Sequence, residues 1–181
     1  MTIESKQLLD QLQALSIQAT DSAHRFQALT DQQLNFKPEA SKWSILECLD
    51  HLNQYGDYYL PEIEQQMKAS RRGAAAVFKS GVLGNYFANA MRAQNGKIKT
   101  MKSPKDKEPA ASGLGRQTIE CFLTQQEHLQ KLLLLARRKD LNKIRISISL
   151  NRYIRIRLGD TFRFYSYHIE RHISQANRNI Q

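Results

Sequence analysis

Cysteine is nearly absent from this chain. Cys48 and Cys121 are the only two in 181 residues, too few for the disulfide framework that staples small secreted domains. Both are read as reduced, small, buried apolar residues. Proline and glycine are sparse, at four and eight, and leucine and glutamine are plentiful, which favours helix. No apolar run approaches the roughly 20 residues needed to cross a bilayer. Residues 1–7 lack the basic-then-apolar layout of a signal peptide, so the expectation is a cytoplasmic protein with no membrane partner. Acidic residues are also short: 17 stand against 27 lysines and arginines, leaving a net charge of +10.

The basic excess lies in 68–107 and 137–157. Aromatics do not interleave with these charges as a stacking platform for nucleic acid requires, and no known nucleic-acid module is spelled out. Solvated loops and helix ends explain the charge as well, so nucleic acid is not the expected partner.

What is present is helical periodicity. Leu8, Leu12, Leu15, Ala19, Ala23 and Phe26 recur every three or four residues and predict a first helix over 3–28. Thr30 to Gln33 predicts a short turn of helix in the connector that follows. Ser44 with Glu47 three residues on has the spacing of a capping box and opens a second helix to about residue 67 or 70, with Pro61 expected to kink it. Its core stripe is Ile45, Leu49, Leu52, Tyr59 and Ile63. Residues 71–113 are irregular, with short helices expected over 74–78 and 83–92 and glycine interruptions at Gly81, Gly84 and Gly96. The stretches 97–104 and 108–113 read as extended loop, anchored by Ile98 and Met101; a loop this long forms a lid or pocket wall, or is mobile.

A third long helix is predicted over 115–139. Period two then takes over: Ile144, Ile146, Ile148 and Leu150, then Ile154, Ile156 and Leu158, alternate with polar residues. This predicts an extended segment or small hairpin over the bundle, turning at Asn151-Arg152-Tyr153. Gly159 ends it, and Asp160 is expected to cap a fourth helix to about Asn177. Four long helices with one large insertion between the second and third give an all-α fold, a four-helix bundle in a single domain spanning 1–181.

The candidate site rests on histidine. His168 and His172 are four apart on the last helix, hence on one face a turn from each other, and neutral imidazoles so placed can share one metal ion. Their polar stripe, which includes Tyr165, Gln175 and Asn179, adjoins the apolar stripe Phe162, Ile169, Ile173, Ala176 and Ile180. Partly covered imidazoles need hydrogen bonds or a ligand. His51, on the second helix, is the third donor. Glu47, one turn before it, is a candidate acceptor or proton handler, and Gln175 and Glu170 are candidates to orient a ring N–H. Three such donors leave a position open for water or substrate. A helical histidine pair is equally readable as surface or core residues. Ile169, rather than glutamate, follows His168, which excludes the usual zinc-protease pattern. His24 and His128 are read as surface residues.

Trp43-Ser44-Ile45-x-Glu47-x-x-x-His51-Leu52 together with His168-x-x-Arg171-His172-x-x-Gln175 resembles the DinB-like superfamily, also described as DinB/YfiT-like metalloenzymes. Leu34-Asn35-Phe36-Lys37-Pro38 and Leu158-Gly159-Asp160 fit the same pattern, and the resemblance spans nearly the whole chain. It implies a four-helix bundle whose metal triad falls on His51, His168 and His172. It also implies a divalent transition metal (zinc, nickel or iron; imidazole does not choose among them) and, among members with known chemistry, thiol-dependent S-transfer to an electrophilic substrate, in places linked to stress. Arg163, Arg171 and Lys99 are candidate cations for the carboxylates of a small-molecule thiol. Two alternatives stay open: metal-assisted hydrolysis, and a non-enzymatic basic protein binding nucleic acid or a protein. A homodimer is also expected.

Overall fold

Periodic leucine places four long helices in this chain, and their apolar stripes decide how they meet. The computed structural model describes residues 1–92, 104, 107–109 and 113–180. In order, the elements are β1 (Thr2–Glu4), α1 (Ser5–Gln27), α2 (Asp31–Asn35), α3 (Ile45–Ala69), β2 (Val77–Lys79), α4 (Val82–Met91), α5 (Arg116–Ala136), β3 (Arg145–Ile148), β4 (Asn151–Arg157) and α6 (Leu158–Asn177). The chain is an all-α four-helix bundle with two small antiparallel ribbons. Helix α1 packs on α5 and α6, and α3 packs on the same two. The predicted stripes supply the core: Leu8, Leu12, Ala19, Ala23 and Phe26 from α1, and Ile45, Leu49, Leu52, Tyr59 and Ile63 from α3, are all buried. Each leucine, isoleucine or phenylalanine among them contributes about 1.5–3 kcal/mol on burial. A buried hydrogen bond from Ser16 to Gln126 (3.0 Å) joins α1 to α5.

Local signals set the helix starts. Thr30 and Ser44 each form a capping box, with Gln33 and Glu47 respectively. Helix α3 continues through Pro61 to Ala69. The basic run Arg137–Lys139 lies just past α5, where the helix dipole favours cations.

Several expectations are corrected. The first helix begins at Ser5 rather than at residue 3, and Thr2–Glu4 form a strand that pairs with Val77–Lys79. The helix expected over 74–78 is therefore replaced by β2, whose Phe78 is buried while its neighbours face out. The hairpin does form, but it turns at Ser149-Leu150, and Asn151 already pairs with Ile148. Gly84 does not interrupt α4 but lies inside it, and Gly159 lies in the first turn of α6. Close approach explains both glycines: a Cβ on Gly84 would stand 2.5 Å from Asp160, and one on Gly159 2.5 Å from the Phe78 ring. Asp160 is not the cap of α6; that position is Arg157, which makes no capping bond. Asp160 instead accepts hydrogen bonds from the Gly81 amide (2.8 Å), the Ser80 hydroxyl and Arg163 (3.0 Å), tying α4 to α6. Ile180 is exposed rather than part of the buried stripe, and Cys121 is exposed whereas Cys48 is buried. Ile98, Met101, Lys99 and most of the expected loop over 97–113 lie outside the described residues. Among the described residues, no helix is long and apolar enough to cross a membrane.

Candidate metal centre

Because α3 and α6 are neighbours in the bundle, residues more than a hundred positions apart meet on their shared face. His51 of α3 and His168 and His172 of α6 are all buried, and a ligand atom from each lies within 4.8 Å of the other two. The Nε2 atoms of His51 and His168 are 3.1 Å apart. The ring centroids of the three imidazoles are 4.7–5.0 Å apart.

The outward nitrogens define the tautomers of two rings. His51 Nδ1 lies 2.6 Å from the Lys107 carbonyl; a carbonyl only accepts, so Nδ1 carries the proton and Nε2 the lone pair. His172 Nδ1 lies 3.1 Å from Gln175 Oε1, which leaves its Nε2 as the free donor in the same way. His168 Nδ1 is buried and, among the described residues, has no hydrogen-bond partner. Without a cation, His168 satisfies itself only by donating Nε2–H to His51. With one, two Nε2 lone pairs converge on it. Two imidazole nitrogens at about 2.0–2.1 Å from a single ion are about 2.8–3.4 Å apart for angles between square and tetrahedral, and the observed separation of 3.1 Å falls in that window. That pair therefore fits a divalent first-row ion, and His172 offers a third imidazole whose ligand atom lies within 4.8 Å of both.

Burial governs the electrostatics. Desolvation holds His51 below the ordinary imidazole value and His168 well below it, and brings His172 down to about 3. The neighbouring imidazoles push His168 and His172 further in the same direction, as does the Arg171 guanidinium. All three rings are thus neutral near pH 7, the state in which imidazole ligates metal.

Aromatic rings enclose the cluster. Trp43 stacks on His172 (5.4 Å between centroids) and lies 4.8 Å from His51. Tyr55 approaches His168 edge-on at 4.4 Å, and Phe164 stacks on it at 5.9 Å. Beside them, Gln54 donates to the Glu108 carbonyl (3.1 Å), so residues of the insertion lie against α3 next to His51.

The other sequence candidates separate clearly. Gln175 touches the cluster. Glu47 does not join it: one carboxylate oxygen accepts from the Ser44 amide (2.7 Å) and the other from Lys37 (2.8 Å). Glu170 is exposed, and the His172 hydrogen bond goes to Gln175. Arg163 is buried in an ion pair with Asp160, so it is withdrawn from any ligand role. Arg171 is half-buried beside the histidines. His24 is exposed and bonds Gln27, and His128 pairs with Glu64 at the surface. Sequence reasoning missed Trp43 and Phe164 as walls of the site, although Trp43 sits beside a cap whose helix carries His51. It also missed the Lys107 carbonyl, which no side-chain pattern can reveal.

The family model described as the DinB superfamily matches residues 14–176, a span that contains all three histidines and Gln175. No curated protein and no solved structure matches the chain.

Proposed function

The chain belongs to the DinB superfamily, and from that membership and the three-histidine cluster we propose that it is a divalent-metal-dependent enzyme, a thiol-dependent S-transferase acting on a small electrophile. The observation that carries the metal reading is the 3.1 Å approach of two Nε2 atoms whose rings are buried and uncharged. When bound, a divalent ion would supply the positive charge that lets a thiol ionise near neutral pH. His51, His168 and His172 would hold the ion. Gln175 and the Lys107 carbonyl keep two of the rings in the ligating tautomer. Trp43, Tyr55 and Phe164 exclude water around them, which strengthens every charge interaction inside. Arg171 offers the cation for a carboxylate of the thiol. In the transfer the S–H proton goes to solvent, a C–S bond forms at the electrophilic carbon, and the leaving group departs with its bonding electrons.

The test begins with metal content by mass spectrometry on untagged protein beside the His168→Ala/His172→Ala variant. A near-stoichiometric transition metal, lost in the variant, is the expected result, followed by chelator-sensitive conjugation in a panel of cellular thiols and electrophiles. Metal without thiol turnover, but with ester cleavage in thiol-free buffer, would replace transfer by hydrolysis. No metal in either protein, even after reconstitution, would remove the proposal.

A further inference from the structure

Among the described residues, three arginines on one face of the β3–β4 hairpin stand without acidic partners. Arg145 pairs directly across the ribbon with Arg157, and Arg155 is two residues along β4 on the same side. The alternation is clear from burial: Ile146 and Ile156 turn inward, while Arg145 and Arg155 are exposed. Like charges placed directly opposite on a ribbon oppose its formation. Among the described residues none of the three makes an ion pair; they donate only to backbone carbonyls, Arg155 to that of Arg145 and Arg157 to that of Lys79.

These side chains line a cavity of about 240 Å³ together with the first residues of α4. Two further features point to an anion there. The Nε of Arg157 is buried and, among the described residues, has no hydrogen-bond partner, a cost that a bound acceptor removes. The ten-residue helix α4 begins on this cavity, and its N-cap, Gly81, has no side chain to cap the first-turn amides. Such amides and the helix dipole favour negative charge. The one carboxylate on the wall, Asp160, is already engaged by Arg163, Ser80 and the Gly81 amide. The histidine cluster is elsewhere: His168 lies eight residues further along α6 than Asp160, about 12 Å at the helical rise.

We propose that this cavity is a second ligand site, which binds the phosphate of a phosphomonoester through Arg145, Arg155 and Arg157 and the start of α4. Planar guanidinium groups match phosphate oxygens two at a time, and charge-assisted bonds of this kind are the strong ones. The proposal does not depend on the metal reading.

Titration calorimetry tests it on the full chain, with inorganic phosphate, glycerol 3-phosphate, and phosphatidic acid in phosphatidylcholine vesicles as separate probes. Saturable one-to-one binding of the soluble phosphates is expected, weakened at least about tenfold in Arg145→Gln/Arg155→Gln. The binding should be unchanged in Arg71→Gln/Arg72→Gln, which removes the same charge elsewhere, and should survive exhaustive chelation. Amide resonances of Val82 and Leu83 should shift with the same saturation. Vesicle binding displaced by soluble phosphate would identify a lipid as the source of the group at this same site; no vesicle binding would identify a free phosphomonoester. Absence of saturable binding to soluble phosphate, equal loss in both double variants, or loss on chelation would each overturn the site.

Discussion

Gln175 Oε1 lies 3.1 Å from His172 Nδ1, one helical turn along α6. The contact holds the ring with its proton facing outward and its lone pair facing His51 and His168. Partners of this kind typically contribute 10–100-fold to metal affinity. Gln175→Leu is therefore expected to weaken metal binding by about 10–100-fold in a competition titration, while Gln175→Glu, which still accepts, restores most of it. Equal affinity in the leucine variant would show that packing alone orients His172.

Acid should destabilise the metal-free protein through the same rings. An unfolded histidine takes up its proton near pH 6.5, whereas the folded protein keeps all three histidines depressed and His172 down to about 3. Below pH 6.5 the unfolded state consequently binds more protons, and stability falls as pH falls. Each histidine contributes up to about 1.4 kcal/mol per pH unit in that window, and the His172 contribution continues to be lost down to about pH 3. Urea unfolding of chelated protein at pH 7.5, 6.0 and 5.0 should show the decline, with a shallower slope in His172→Leu. A flat profile would mean that the rings are protonated in the fold.

Asp160 and Arg163 form an ion pair at 3.0 Å with side chains that are 0% and 1% exposed. Arg163 also donates to Ser80, Asn85 and Asn89, so the pair fastens α4 onto α6. Removing one member of a buried pair leaves the other charge without compensation, at a cost of about 3–5 kcal/mol. Asp160→Ala should lower the unfolding free energy by that amount in denaturant titrations. A change below about 1 kcal/mol would show that water reaches Arg163 and solvates it.

The two cysteines should differ in reactivity. Burial pushes the Cys48 thiol up to about 12, whereas Cys121 is exposed and raised by a smaller desolvation and by Asp57. Thiolate fraction and access set the rate of attack. One equivalent of an aromatic disulfide reagent should react in the native protein, and the second only on unfolding. Two fast equivalents would place Cys48 within reach of solvent.

The amino-acid sequence by itself determined the helices and their buried faces. Leucine spacing in α1 and α5, and the caps at Thr30 and Ser44, are local signals that tertiary contacts did not override. It also placed His168 and His172 on one face, because four residues make about one turn in any α-helix, and the motif resemblance named His51 as their partner. Only the tertiary structure decided what surrounds them. That α3 and α6 are adjacent, so that His51 Nε2 comes within 3.1 Å of His168, follows from helix packing across 117 positions. The Lys107 carbonyl on His51 is a backbone atom and leaves no trace in residue type. Glu47, one turn from His51, is engaged by its own cap and by Lys37, contacts that its place in the first turn of α3 provides. Residues 2–4 and 77–79 form a ribbon because a strand requires a partner, and pairing over such a distance is settled by where the helices carry the two segments. Arg163, read from its charge as a ligand for carboxylates, instead pairs with Asp160 one turn away and bonds Asn85 and Asn89 of α4.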